Sequence, residues 1–412
     1  MRADQIKHRF LFVTSTVAAK DTLQVFCWRL LQEGQEVGVM GPTGMDLPEE
    51  VPFFTRIPDA VEYTPEVVVP LDEASIRAAS NLFGKKTRYL NKDPLAFQMA
   101  STRSFGLSLM AKAGLQTVPY HTISNHNDML RFRAKQAESE HPWGLFPDIP
   151  DNNFIHEDGT LGIQLLPGKP VQAAFLVSGK HLCGPAFVYT PLLGLLEKGG
   201  IKDFRGMVVT HATSPILDWV GGKVRQAVSA MGAAGFVFVD MLFPEGSKKP
   251  LISKISLVPP KGFFAALFLS DLISQPVGQA LYSVAKGLKF NWRLKEGAEA
   301  AWVHLITDNC PGELPDEPGF YTTSSLEQSY EVGFHVGTSS FVPDSLWEKR
   351  PTAEVKLRTE HSAQEFFQSL KELGVHDPHH VTQDPEPEEE EETEDAGLPQ
   401  REHSHASSTG DV

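Results

Sequence analysis

The stretch that most constrains this chain runs from Gly235 to Phe268, GFVFVDMLFPEGSKKPLISKISLVPPKGFFAALF. It reads as a strand, a polar turn, a second strand, and a Pro-Gly segment leading into an apolar run. Strand alternation puts Phe236, Phe238 and Asp240 on one face and Val237, Val239 and Met241 on the other. Asp240 is therefore an acid inside an otherwise apolar strand. In the second strand Lys254, Ser256 and Val258 fall in one row. Whether this hairpin floors a working polar site or is the shell of one turns on the residues that accompany Asp240.

A length of 412 residues allows two or three domains with a sizeable core. With 41% hydrophobic and 22% charged residues, the composition is that of a soluble globular protein. No apolar run approaches ~20 residues, so no transmembrane helix is expected. The opening MRADQIKHRFLFV lacks the apolar core and small-residue cleavage site of a secretory signal. Cys27, Cys183 and Cys310 are too widely spaced for a metal pattern or a disulfide framework, which fits a reducing cytoplasm. They read as small buried hydrophobes. The net charge of −15 argues against a protein that coats nucleic acid. Much of that charge is local, with nine acids and no Lys or Arg between Asp384 and Asp395.

Residues 8–42 give an apolar strand, a Ser/Thr-rich turn, a helix with Leu23, Phe26, Cys27, Leu30 and Leu31 at helical spacing, a stop at Gly34, and a second strand. This β-α-β unit opens a parallel α/β domain. Its turn has no G-x-G-x-x-G pattern, so a dinucleotide site is not supported. A strand at 66–70 follows. An amphipathic helix is expected at 94–114, closed by Gly114. Another is expected at 125–138, capped by Asn125 or Asn127. Residues 141–206 are strand-rich and punctuated by Gly and Pro, with a hairpin turning at Ser178-Gly179. Helices are expected at 215–234, 271–285 and 354–373, with short strands between 298 and 345. Residues 377–412 carry almost no apolar side chains and are expected to be a disordered acidic tail.

In this order the residues resemble the ATP-grasp ligases. The likeness is greatest to the phosphoribosylamine–glycine ligase branch, including its shorter phage and bacterial forms. The match is most specific at Arg103-Ser104-Phe105-Gly106 with Ala113-Gly114-Leu115 and Pro119, and next at the Gly-Phe-Val-Phe-Val-Asp strand. It spans roughly residues 8 to 350. It implies an α/β fold, α+β in part, in which an N-terminal parallel domain precedes a two-lobed ATP-grasp domain. The division it suggests is 1–92 for the N-terminal domain, 93–290 for the ATP-grasp domain with a small lobe at about 141–206, 291–376 for a mixed C-terminal segment, and 377–412 for the tail. Members of this family activate a carboxylate as an acyl phosphate that an amine then attacks, using lysines on the phosphates and Mg²⁺ held by carboxylates or amide oxygens.

Against that pattern the chain departs at several positions. Phe146, in Trp143-Gly144-Leu145-Phe146-Pro147, stands where the family has an ATP lysine. Leu166 and Pro170 stand at two acidic positions, and Lys254-Ile255-Ser256-Leu257-Val258 matches the Glu-x-Asn/Thr-x-Arg metal motif. The resemblance leaves Arg103, Lys198 and Lys202 as candidate nucleotide contacts and Asp240 as a candidate metal ligand. The plainer readings are a helix residue paired with an acid for Arg103, loop surface charges for the two lysines, and a hydrogen-bonded acid near a strand end for Asp240. A Phe in place of a lysine and a Lys in place of a carboxylate both oppose nucleotide–magnesium binding. The sequence thus supports a ligase-like protein with lost or reduced catalysis, acting as a binding or scaffolding subunit with itself or a paralogous ligase. The alternative is an active ATP-dependent carboxylate–amine ligase of purine biosynthesis. ATP and Mg²⁺ are its cofactors if it is active, and otherwise none.

Overall fold

The computed structural model describes residues 7–16, 20–43, 45, 47–72, 75, 87–91, 102–148, 159–178, 181–182, 186–198, 201–212, 215–257, 259, 263–269, 273, 275–290, 299–307, 321–326 and 329–337. For 20–21, 182, 186–198, 201–212, 265–266, 269, 299–307, 321–326 and 329–337 only the backbone is described. The chain divides into two units, Met1–Pro378 and His379–Val412. The second unit lies outside the described residues, and so do the expected tail at 377–412 and the expected helix at 354–373.

The first sheet is parallel, in the order β3-β2-β1-β4-β5. Its strands are β1 (Arg9–Val13), β2 (Glu36–Met40), β3 (Phe53–Phe54), β4 (Val67–Pro70) and β5 (Arg88–Tyr89). Phe10, Leu11, Phe12 and Val13 are all buried, so β1 is covered on both faces, as a central parallel strand must be. Helix α1 (Lys20–Gln32) makes the crossover from β1 to β2 and buries Leu23, Phe26, Cys27 and Leu30. Gly34, at φ 72°, takes the left-handed conformation that ends the helix, and the Gln35 N–H donates back to the Leu30 carbonyl. Helix α2 (Ile57–Glu62) lies between β3 and β4.

A nine-stranded antiparallel sheet holds the hairpin read from the sequence. Its order is β14-β13-β9-β11-β12-β15-β17-β16, with β10 paired to β9. The strands are β9 (Gly168–Ser178), β10 (His181–Leu182), β11 (Ala186–Lys198), β12 (Ile201–Ala212), β13 (Ala234–Pro244), β14 (Leu251–Ser256), β15 (Glu299–Thr307), β16 (Tyr321–Leu326) and β17 (Ser329–Gly337). Strand β13 pairs with β9 without a break from Ala234↔Ser178 to Pro244↔Gly168. The expected loop carrying Lys198 and Lys202 is instead the end of a long hairpin, with Lys198 opposite Ile201. Only two residues separate its strands, and a two-residue connection is what an antiparallel ladder needs.

A separate three-stranded sheet, β6-β8-β7, is formed by β6 (Tyr120–Ile123), β7 (Trp143–Pro147) and β8 (Thr160–Gln164). Of the residues expected in a small lobe at about 141–206, β7 and β8 belong to this sheet, whereas β9 to β12 pair into the nine-stranded sheet. Helix α3 (Arg103–Lys112) precedes this sheet, and α4 (His126–Ala137) packs on it through Phe132. Asn125 accepts the Asp128 N–H and caps α4. The helix expected from residue 94 begins, in the described residues, only at Arg103, with extended backbone at Thr102. Three further helices are α5 (Pro215–Ser229), α6 (Phe263–Leu269) and α7 (Val277–Ala285). Helix α7 starts six residues later than expected because Pro276 takes the N-cap position.

Two cores sandwich the hairpin. On one face Phe236 and Phe238 meet Phe263 and Phe264 of α6, while Phe264 and Phe268 pack on Phe26 of α1. This core runs through the N-terminal sheet and α7. On the other face Val237, Val239, Met241 and Phe243 pack with α3 and α5. Asp240 lies where the first face runs out of aromatic cover, and it is half-buried.

Candidate functional site

Three polar side chains form a row across adjacent strands. Asp240 on β13 is directly opposite Lys254 on β14 and Gln172 on β9. Directly opposed residues present their side chains to the same face. The register slips immediately after this pair, so that Met241 faces Ile252 and Ser253 is the extra residue. Its hydroxyl donates to the Asp240 carbonyl at 3.1 Å. A bulge of this kind re-aims a side chain, and here it brings Lys254 opposite the acid. One pair further along, Ser256 faces Phe238, and in the other direction Pro170 faces Leu242. On β13 and β9 the polar row is bounded by apolar residues, Phe238 and Ala174 on one side and Leu242 and Pro170 on the other. Gln172 Oε1 is buried and has no hydrogen-bond partner among the described residues.

Arg103 reaches this region from the first turn of α3, which packs along β14. The Asp148 carboxylate, just past the end of β7, accepts the Ser104 N–H at 2.7 Å and the Ser104 hydroxyl at 2.6 Å. The Asp148 carbonyl accepts the Arg103 N–H at 2.9 Å, and its own N–H donates to Gly159 at 2.8 Å. Asp148 therefore caps a helix that lies 44 residues earlier in the chain. The Arg103 guanidinium lies over the Phe146 ring, 5.1 Å from its centroid. Burial pulls its pKa below the ordinary value, while the charges of Asp240 and Asp148 push it back up. Its Nε is buried without a hydrogen-bond partner among the described residues.

Among the residues singled out from sequence, the structure sets Asp240 opposite Lys254 and Arg103 against Phe146, with Asp240 close enough for its charge to act on Arg103. It keeps Lys198 and Lys202 apart from them. The Asp240 row continues through Gln172 to Tyr189, nine residues along β11 from Lys198, or ~30 Å of strand at ~3.3 Å per residue. Val258 lies outside the described residues. Asp148 and Gln172 were not foreseen. No local signal marks Asp148 as a cap for a distant helix, whereas Gln172 could have been found by counting the β9 register.

No family model and no curated protein matches the chain. Solved structures do. Phosphoribosylamine–glycine ligase from Thermotoga maritima is similar at 13% identity and TM-score 0.57, over 80% of this chain and 93% of that one. N5-carboxyaminoimidazole synthetase from Staphylococcus aureus is similar at 10% identity and TM-score 0.55, over 85% and 100%. The fold is that of the ATP-grasp ligases. The biotin carboxylase domain dimer of the Hydrogenobacter thermophilus 2-oxoglutarate carboxylase, solved with MgADP and bicarbonate, is similar at 10% identity and TM-score 0.50, over 81% and 87%.

Magnesium, implied by this fold family, does not fit the residues present. Mg²⁺ needs near-octahedral oxygen donors, usually with one or two carboxylates. The row offers the single carboxylate of Asp240 beside an ammonium, and the Asp148 carboxylate is occupied by Ser104. Among the described residues no group of three His, Cys, Asp or Glu could hold a metal ion. An ammonium ~5 Å from a divalent cation is repelled by about 7 kcal/mol at an effective dielectric constant of 20. Swinging the lysine stem away reduces that cost but leaves a single protein ligand. Among the described residues no helix is long and apolar enough to cross a membrane.

Proposed function

We propose that this chain is a phosphoribosylamine–glycine ligase-like ATP-grasp protein with lost or reduced catalysis, acting as a binding or scaffolding subunit with itself or with an active paralogue. The observation that carries the reading is Lys254 placed directly opposite Asp240, a cation where the family resemblance calls for a metal carboxylate. The ring of Phe146 against the Arg103 guanidinium supports it, since Phe146 stands where the resemblance calls for a phosphate lysine. Calorimetry of ATP binding with and without Mg²⁺ tests it. The expected result is no magnesium-dependent binding, and micromolar binding that needs Mg²⁺ overturns it. The second reading, an active carboxylate–amine ligase, is favoured by the retention of Arg103 within electrostatic reach of Asp240. Its signature is ADP release that requires both glycine and phosphoribosylamine.

A further inference from the structure

The outer strands of the three sheets are protected to different degrees. An open sheet edge is normally blunted by shortness, by Pro, by charge or by a covering segment. In the parallel sheet the outer strands β3 and β5 have two residues each. In the three-stranded sheet β6 has four, and β7 ends in Pro147, which has no N–H to offer. Strand β14, at one edge of the nine-stranded sheet, is covered: the Ile252 N–H donates to the Gln116 carbonyl at 2.8 Å, and the Val118 N–H donates to the Ile252 carbonyl at 2.9 Å. Strand β16, at the other edge, has six residues and pairs with β17 without a register shift from Tyr321↔Phe334 to Leu326↔Ser329. Among the described residues nothing pairs with its outer side. Its sequence, Tyr-Thr-Thr-Ser-Ser-Leu, contains no Pro, no Gly and no charge, and Tyr and Thr favour strand. The register fixes which backbone groups are left over. Leu326 and Ser329 flank a two-residue hairpin connection and so exchange both bonds. Alternation then turns the N–H and C=O of Thr322 and Ser324 toward β17 and those of Tyr321, Thr323 and Ser325 outward. We propose that this edge is an interface between two copies of the chain, in which two β16 strands pair antiparallel about a two-fold axis at Thr323. The proposal names the surface for the self-assembly in the function proposed above, and it rests on that part of the reading. A second copy fits because the outward set is its own complement. With Thr323 opposite Thr323 of the partner subunit, Tyr321 falls opposite the partner's Ser325 and Ser325 opposite the partner's Tyr321. Each of these pairs exchanges both backbone bonds. No charge meets a like charge across the axis, although each chain carries a net −15.

The test is sedimentation velocity on the full chain over a wide range of concentration. The expected result is a monomer–dimer equilibrium. Thr323→Lys and Thr323→Glu each set like charges directly opposite one another at the axis, and each should weaken dimerisation at least tenfold. Mixing the two variants should restore the dimer, because the opposed charges then attract. Neither substitution removes a backbone bond to β17, and charged residues are tolerated on edge strands, so urea midpoints of the variant monomers should match that of the native monomer. Amide hydrogen exchange on the native chain gives a second reading that needs no variant. The amides of Tyr321, Thr323 and Ser325 should slow as concentration rises, while those of Thr322 and Ser324 exchange slowly throughout. A dimer that both variants leave intact, or a mixture that restores nothing, overturns the proposal and leaves self-assembly through another surface standing. Outward amides whose exchange ignores concentration overturn it in the same way, even if the variants misfold. A chain that stays monomeric at every concentration overturns both the proposal and the self-assembly on which it rests, and leaves the reading of lost catalysis to the ATP titration.

Discussion

Asp148 fixes where Arg103 sits, and removing its carboxylate tests that role. Asp148→Ala deletes two short bonds, to the Ser104 N–H at 2.7 Å and to the Ser104 hydroxyl at 2.6 Å, at a site only 8% exposed. Loss of a helix N-cap costs about 1 kcal/mol and at most ~2. Hydrogen bonds to a charged group are worth ~1.5–3 kcal/mol, and a donor left buried adds to the loss. The expected destabilisation is therefore about 2–3 kcal/mol. Ser104→Ala, which removes only the hydroxyl bond, should cost about 1 kcal/mol. Asp148→Asn keeps one acceptor for the amide and should fall between them. Because the two residues share a bond, the double variant should cost about 1 kcal/mol less than the sum of the single ones. Urea midpoints at unchanged m-value give these numbers, and amide hydrogen exchange at Ser104 reports the cap locally. A shift below ~0.5 kcal/mol for Asp148→Ala, or strict additivity of the pair, would refute the capping argument.

Two further outcomes follow from packing and titration. In Gly162→Ala the new Cβ would stand 2.2 Å from Cε2 of Phe132, whose ring is buried and lies edge-on to Trp143. That overpacking should cost ~1–3 kcal/mol, and Phe132→Leu in the same chain should recover part of it, as read from urea midpoints. Burial pushes the Cys27 thiol up to about 12, from an ordinary value of ~8.5. A folded pKa above the unfolded one gives stability that is complete below ~8.5 and lost as pH rises from there through about 12. Native Cys27 should therefore resist alkylation at pH 8 and react once denatured, as peptide-resolved mass spectrometry would show. The loss of stability with rising pH should diminish in Cys27→Ala.

The parts of the fold legible in the sequence are those encoded over a few residues. The helical spacing of Leu23, Phe26, Cys27 and Leu30 announces α1, and the alternation of GFVFVD announces β13. Parity alone then places Lys254 and Ser256 in one row. That Lys254 stands opposite Asp240, rather than one place off, depends on the bulge at Ser253, which no local pattern declares. The Lys198–Lys202 segment went wrong for a different reason. Gly199-Gly200 between two apolar runs is itself a hairpin signal, yet the glycines and charges read more readily as a loop. Asp148 and Ser104 were beyond reach because their bond spans 44 residues.

The same distinction explains how fold and chemistry can part company on the reading proposed above. At 10–13% identity to its structural neighbours, the fold persists because it needs only that apolar residues keep their faces. A magnesium site is less forgiving. One exchange of a carboxylate for an ammonium reverses the sign of the charge presented to a metal, yet it leaves strand propensity and burial almost untouched. Position 254 can therefore change its chemistry without disturbing the hairpin that holds it. On the proposed reading, the charge opposite Asp240, more than the likeness of the fold, sets which ligands this site would take.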